Sequence, residues 1–247
     1  MNYDRYSFSK TELIMYGALG LLLDALISWA FFRSTAAFFI LLIPVLVVFF
    51  RAVRRSLLEK MRYEFSLEFR EALLSVQASL NAGYSVENAF IEAEKVMEDM
   101  FGESPVTTEL RIMTRRLRSN EALEKILSDL ADRSGIEDVE DFANVFFAAK
   151  RSGGDFTRII RKAVDSISDK MEVRRDIRTA ISAKRYENRI MEAVPFGIIV
   201  YLNLTSSGFL SPLYHNIKGN IIMAFCLALY AFGVAMAERI MREAEKV

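Results

Sequence analysis

Two adjacent glycines stand in the segment AAKRSGGDFTRIIRKA (residues 148–163), between two helical patterns. Glycine-rich turns that open helices often hold phosphate, because backbone N–H groups and the helix dipole both favour an anion. A P-loop also needs a lysine and a hydroxyl residue after its last glycine, and the chain contains no Gly-Lys-Ser or Gly-Lys-Thr. Asp155 stands where the phosphate would bind and itself supplies a negative charge. We therefore interpret Gly153, Gly154 and Asp155 as a helix terminator followed by a cap, and not as a nucleotide site.

Other residue types that perform catalysis are scarce or isolated. His215 is the only histidine and Cys226 the only cysteine, so neither a histidine-dependent nucleophile pair nor a multi-histidine metal site is possible. The densest acidic run, EDVEDF (137–142), is typical of a solvated helix start, with a metal site as the less favoured alternative. Because no nucleophile, metal or phosphate motif is complete, we predict no enzymatic activity and no cofactor.

One carboxylate lies near the middle of an apolar run, where a charge is costly and often functional. Asp24 has two interpretations: part of an ion or proton path, or a polar contact with another span or subunit. A path needs several polar partners, and the other apolar runs offer only Glu192, Asn203 and some hydroxyls. This shortage favours the structural contact and leaves the ion path as the alternative.

The charged residues are segregated along the chain. Lys plus Arg and Asp plus Glu each number 32, so no bulk charge indicates nucleic-acid binding. Residues 51–189 contain 25 basic and 25 acidic residues, whereas residues 13–50 contain only Asp24 and Arg33. A charged middle domain is therefore bracketed by two apolar ends.

The apolar ends predict four transmembrane helices, two N-terminal and two C-terminal. The runs at 13–32, 35–50, 190–210 and 221–237 approach the ~20 residues that span a hydrocarbon core. A signal peptide is the alternative for the first run, but that run is long and a second follows at once. Basic residues crowd the ends that should face the cytoplasm: Arg51, Arg54, Arg55, Lys60, Arg62, Arg239, Arg242 and Lys246. The opposite ends offer only Arg33 and Lys218, so both termini and the middle are predicted to be cytoplasmic.

The predicted fold class is all-α, with a cytoplasmic bundle of about six helices. The domain boundaries are a tail (1–12), a membrane hairpin (13–53), the helical domain (54–189), two further spans (190–238) and a second tail (239–247). Within the domain, Gly83 is predicted to end a helix at 66–80, and Ser85 to cap the next. Asn120 is predicted to cap the fourth helix of the domain, which runs to about Ser134. Residues 139–151 are predicted to carry Val139, Phe142, Phe146 and Ala149 on one apolar face.

The sixth helix is predicted to start near Phe156 and to meet no breaker before Pro195. It would be about 50 Å long up to residue 189 at ~1.5 Å per residue. Its second half, residues 172–189, is crowded with charge and is interpreted as a stalk. A break around 166–169 is the alternative. Pro195 would kink or cap the third span where the stalk enters the bilayer.

The order of these features resembles a known family. It resembles the order found in the F-domain family of type II secretion and type IV pilus machines. The features are, in chain order, a membrane hairpin, SLNAGYSVENAF, AAKRSGGDFTRIIRKA, a basic stalk and the dipeptide PF. The resemblance covers about residues 66–205. Within this family, the chain more specifically resembles the TadB and TadC platform proteins of Tad (Flp) pili. The family's glycine turns map to Gly83 and Gly153–Gly154, and its membrane-entry proline to Pro195. Other branches have an acidic residue shortly before the later glycine; Lys150–Arg151 here favours the Tad branch.

The resemblance implies a platform protein of the bacterial inner membrane without enzymatic activity of its own. It implies docking on a hexameric secretion ATPase and transfer of motion to prepilins, with a paralogous platform protein and membrane lipids as further partners, in a homo- or hetero-oligomer. Arg174, Arg175 and Arg178 are candidate ATPase contacts, although a solvated or lipid-facing stalk is the alternative. A membrane-anchored adaptor or sensor unrelated to pili, and an ion-coupled transporter subunit using Asp24, remain alternative functions.

Overall fold

The structure is a computed structural model, and it describes residues 8–152, 156–206, 208–209, 211–214 and 216–244. In this described part every regular element is a helix, which confirms the all-α class. The helices are α1 Lys10–Phe31, α2 Thr35–Asn81, α3 Val86–Phe101, α4 Pro105–Arg118, α5 Leu123–Ser134, α6 Glu137–Ser152, α7 Phe156–Thr205, α8 Ser211–Tyr214 and α9 Ile217–Ala244. They form two compact units: a charged unit, Arg54–Val173, and an apolar unit, Phe8–Val53 with Arg174–Val247.

The charged unit is a bundle of six helical segments around an aromatic centre. The apolar stripes of α3 to α6, of the end of α2 and of the first half of α7 all contribute buried side chains. Phe142 of α6 lies at their meeting point, with its ring centroid 5.9 Å from that of Phe69 and 6.4 Å from that of Phe90. Such edge-to-face and tilted pairs add about 0.5–1.5 kcal/mol beyond the area that they bury. The predicted face of α6 is thus the core face of that helix.

The first half of α7 contributes an apolar stripe to this core. Ile160, Ala163, Ile167 and Met171 are buried in the core of the charged unit, and Ile159 is half-buried. Residues 166–169 are helical, so the alternative of a break there is wrong.

One predicted cap is wrong. The predicted fourth helix of the domain is α5, and Asn120 does not cap it. α5 begins at Leu123, with Ala122 at its N-cap position. Asn120 instead follows the end of α4 with a φ of 59°, and its N–H donates to the carbonyl of Leu117 at 2.9 Å. Asparagine favours both N-caps and left-handed positions, so its residue type alone does not distinguish the two.

α2 is much longer than the sequence boundaries predict, and α7 continues past Pro195. The predicted helix at 66–80 is the end of α2, which has 47 residues and continues without a break from the second apolar run. α7 has 50 residues and passes through Pro195 to end at Thr205. The helix is therefore not capped at Pro195, and it ends before residue 210.

Three helices of the described residues are long and apolar enough to span a membrane. They are α1, the apolar run within α2, and α9, with mean hydropathies of 1.8, 2.7 and 2.0 in their most apolar windows. At most 22% of any of these windows is buried, which leaves large apolar side chains for contact with lipid. The predicted span at 190–210 is helical to Thr205 but is not one of the three, because Arg189, Glu192 and Asn203 lower its hydropathy.

Candidate functional site

The turn between α2 and α3 has the geometry that its residue types predict. Gly83 has a φ of 89°, a conformation that L side chains rarely adopt, and a Cβ there would meet no atom within 4 Å. Glycine is therefore required for its backbone conformation and not for space. The hydroxyl of Ser85 accepts a hydrogen bond from the N–H of Asn88 at 3.3 Å and so caps α3. A role for this turn in partner coupling stays a prediction.

The second predicted glycine turn is not among the residues that the structure describes. Gly153, Gly154 and Asp155, like His215 and Lys246, lie outside the described residues. The described chain ends α6 at Ser152 and resumes in α7 at Phe156. The interpretation of these three residues as terminator and cap stays a prediction.

The basic stalk predicted at 172–189 is the part of α7 that follows the charged unit. Arg175 and Arg178 are exposed, and Arg174 is half-buried. Arg174 and Arg178 are four residues apart, which places them on the same helix face. Three guanidinium groups within five residues form a surface suited to carboxylate or phosphate, because each presents a fork of N–H donors.

The acidic run at the start of α6 has an internal cation. Lys170 of α7 places its Nζ 2.7 Å from Glu137 Oε1, 3.1 Å from Asp141 Oδ2 and 3.8 Å from Asp138 Oδ1. Partial burial disfavours the ammonium, but the hydrogen bonds to Glu137 and Asp141 raise the pKa of Lys170 above its ordinary value. These carboxylates therefore join α6 to α7. No group of three or more His, Cys, Asp or Glu side chains in the described chain is placed to hold a metal ion.

A network of ion pairs that the sequence interpretation missed joins α4 to α5. Arg133 donates from both terminal nitrogens to Glu109, at 3.0 and 2.9 Å, and from Nε to Asp129 at 3.1 Å. Arg116 donates to Asp129 at 2.6 Å and to both oxygens of Glu121 at 2.7 and 2.8 Å. The sequence carried one signal: Glu109 interrupts an apolar stripe of α4 that consists of Val106, Leu110 and Met113.

Asp24 lies on the buried side of α1. Its residue is 0% exposed, and neither carboxylate oxygen has a hydrogen-bond partner among the described residues. One turn earlier, α1 approaches α2 closely, because a Cβ on Gly20 would lie 2.7 Å from Leu46 Cδ2. The polar contact predicted for Asp24 is thus not a hydrogen bond within the described chain.

The other polar groups of the apolar runs are bonded elsewhere. Asn203 donates to the hydroxyl of Tyr214 at 2.8 Å and to the carbonyl of Ala30 at 3.3 Å, and the Tyr214 hydroxyl donates to the same carbonyl at 2.8 Å. Glu192 accepts from Asn188 at 2.6 Å, so these polar groups, unlike Asp24, have hydrogen-bond partners within the described chain. The sequence interpretation missed Tyr214, because its partners are distant along the chain.

Comparison with models of known protein families gives a match over more than half of the chain. The family described as "Type II secretion system (T2SS), protein F" matches residues 72–202, which are 131 of the 247 residues of the chain. The match begins in α2, includes all of α3 to α6 and ends three residues before the end of α7. No curated protein and no solved structure gives a significant match.

Proposed function

Because the chain belongs to the type II secretion system protein F family, we propose that it is a platform protein of a Tad-type pilus machine in the bacterial inner membrane. Proteins with this domain are structural inner-membrane platform proteins of type II secretion and type IV pilus systems, and not enzymes. In our proposal the chain couples a cytoplasmic hexameric secretion ATPase to the movement of prepilins. The observation that carries the proposal is the match over 72–202, which agrees with the family resemblance of the sequence motifs.

The continuity of two helices supports a coupling role. The boundaries between the charged and the apolar unit, after Val53 and after Val173, both fall inside helices, α2 and α7. At ~1.5 Å per residue these helices are about 70 and 75 Å long. A displacement or rotation applied to the charged unit would be transmitted along an unbroken helix, because no loop at either boundary absorbs it.

The proposed topology follows from the basic residues that flank the spans. Both termini and the charged unit lie in the cytoplasm, so that the ATPase reaches the charged unit and the prepilins reach the spans. The basic face of Arg174, Arg175 and Arg178 is the proposed ATPase contact, and a paralogous platform protein completes the complex. In this arrangement the part of α7 after residue 190 is the third of four spans.

A crosslinking pull-down from native membranes tests the proposal. A tagged chain is crosslinked in cells that assemble pili, and the recovered material is probed for the secretion ATPase and for the prepilin. We expect both, and their recovery should depend on the crosslinker. Recovery of neither protein from piliated cells would contradict the proposal. Neighbouring genes for a secretion ATPase and a small Flp-type prepilin would separate it from an adaptor or sensor unrelated to pili.

One observation favours a second candidate function, an ion-coupled transporter subunit. Asp24 is buried in the apolar unit, and its two oxygens lack partners among the described residues, as a proton or cation site would require. Replacing Asp24 with Asn separates the two candidates. Loss of transport with normal assembly of the complex would support the transporter, whereas normal pilus assembly is expected for a platform protein.

A further inference from the structure

A cavity of about 420 Å³ lies at the turn between α1 and α2, within the apolar unit. Seven residues line it: Ala25, Ser28, Trp29, Arg33, Ser34, Thr35 and Phe38. Its volume is within the range of small-molecule sites, about 300–1,000 Å³. The lining is amphipathic: it combines the guanidinium of Arg33 and three hydroxyl residues with the apolar side chains of Ala25 and Phe38. None of these seven residues is acidic.

One polar side chain of the lining is buried and unsatisfied. Ser28 is 3% exposed, and its hydroxyl has no hydrogen-bond partner in the described part of the chain. A buried hydroxyl without a partner costs about 1–3 kcal/mol, so a ligand that accepts a hydrogen bond here would recover that cost. Ser28 therefore places an unpaired hydrogen-bond donor beside the cavity.

The charge of the lining indicates that this acceptor is an anion. Arg33 has no ion pair among the described residues; its guanidinium carbon lies 5.9 Å from the ring centroids of both Trp29 and Tyr214. Ser34 and Thr35 stand at the N-terminus of α2, where unpaired backbone N–H groups and the helix dipole attract negative charge. A guanidinium, three hydroxyls and a helix N-terminus together match the oxygens of a phosphate group.

We propose that this cavity binds the phosphate headgroup of an anionic phospholipid. The turn between two membrane-spanning helices lies at the level of the headgroups, where tryptophan is also enriched. Deeper in the bilayer, Ala25 and Phe38 provide an apolar wall for an acyl chain. The inference rests on insertion of the α1–α2 hairpin into a bilayer, and it does not require coupling to an ATPase. Its failure would leave the proposed function standing, and the reverse is also true.

The lining contains its own reporter, because Trp29 is the only tryptophan of the chain. The full-length protein is reconstituted in phosphatidylcholine vesicles that contain rising fractions of phosphatidylglycerol brominated in its acyl chains. Brominated phosphatidylcholine at the same fractions is the reference, and quenching of Trp29 fluorescence gives the relative binding constant. We expect about a fivefold preference for phosphatidylglycerol, the ratio that one arginine near an anionic surface supplies.

Matched variants distinguish a site from general surface attraction. Arg33→Gln should abolish the preference, and Ser28→Ala should reduce it. Lys218→Gln should leave the lipid preference unchanged. Lys218 is exposed and is predicted to lie at the same membrane face as Arg33, but it does not line the cavity. Arg33→Lys keeps the charge and should retain most of the preference, which separates loss of charge from a folding defect.

Three results would overturn the proposal. The first is quenching of the unaltered protein that is equal for both brominated lipids. The second is an equal loss of preference in Arg33→Gln and Lys218→Gln, which would indicate surface charge alone. The third is loss of the preference on addition of millimolar inorganic phosphate, with the same shift of Trp29 fluorescence in pure phosphatidylcholine, which would assign the cavity to free phosphate.

Discussion

Glu109 of α4 accepts two parallel hydrogen bonds from Arg133 of α5, at 3.0 and 2.9 Å, although Glu109 is only 1% exposed. A buried carboxylate is tolerated only when it is paired, because its transfer from water is costly. The pair fixes the position of α5 against α4. Asp129 extends the contact, since it accepts from Arg133 at 3.1 Å and from Arg116 at 2.6 Å.

Removing one partner of this pair should destabilise the charged unit strongly. In Arg133→Met, the buried Glu109 loses both hydrogen bonds from Arg133, and we expect a loss of about 3 kcal/mol in the free energy of unfolding. Replacing both residues, in Glu109→Leu with Arg133→Met, should cost less than the single change, because no buried charge remains. Chemical denaturation followed by circular dichroism measures the free energy of unfolding of the unaltered protein, the single variant and the double variant.

A surface pair provides the control for this experiment. Lys95 and Glu92 are 2.8 Å apart on α3, and the lysine side chain is 62% exposed. Lys95→Met should cost at most about 0.5 kcal/mol, the value of an exposed pair between adjacent turns. Equal costs for Lys95→Met and Arg133→Met would contradict the importance of the buried pair.

The hydrogen bonds from Arg116 to Glu121 should make the stability of the charged unit depend on pH in the acidic range. They lower the pKa of Glu121 from 4.5 to about 2. Because the pKa is lower in the folded state, this contribution is complete above pH 4.5 and is lost as the pH falls from 4.5 towards 2. Glu121→Gln should remove it, so the difference in melting temperature between the two proteins should narrow in that range. A difference that stays constant from neutral pH to pH 2 would be incompatible with this pKa.

Two left-handed positions should respond to opposite substitutions. Gly83 has a φ of 89°, and Gly83→Ala should cost about 1 kcal/mol because a Cβ is strained there. Asn120 has a φ of 59°, and Asn120→Gly should be neutral or stabilise slightly. Thermal unfolding of the two variants measures the contrast. A larger loss in Asn120→Gly than in Gly83→Ala would mean that contacts of the asparagine side chain, and not φ, decide its cost.

The features that sequence predicted correctly depend on neighbouring residues. Ser85 caps the N–H group of a residue only three positions later, and the core face of α6 repeats at helical spacing through Val139, Phe142 and Phe146. Such signals act over one or two turns of a helix. The left-handed conformation of Gly83 is local in the same sense, since few other residues adopt it readily.

The features that sequence did not predict depend on residues far apart in the chain. Glu109 is 24 residues from Arg133, and Tyr214 donates to a carbonyl 184 residues away. Without the fold, nothing pairs these groups. The continuity of α2 was missed for another reason: its apolar run and its core-facing end have different surroundings, so one helix carries two hydropathy patterns.

Charge reversal on the basic face should break the proposed ATPase contact. In the triple variant Arg174→Glu, Arg175→Glu and Arg178→Glu, three groups that attract carboxylates become groups that repel them. We expect ATPase co-purification to be lost, and co-purification of the unaltered protein to weaken at high ionic strength. Lys162→Glu is the control for a charge reversal outside the stalk, because Lys162 is exposed on α7 before the stalk. Arg175→Glu is the matching single charge reversal within the stalk. Unchanged co-purification of a folded triple variant would remove the stalk from the contact and direct the search to the surface of the charged unit.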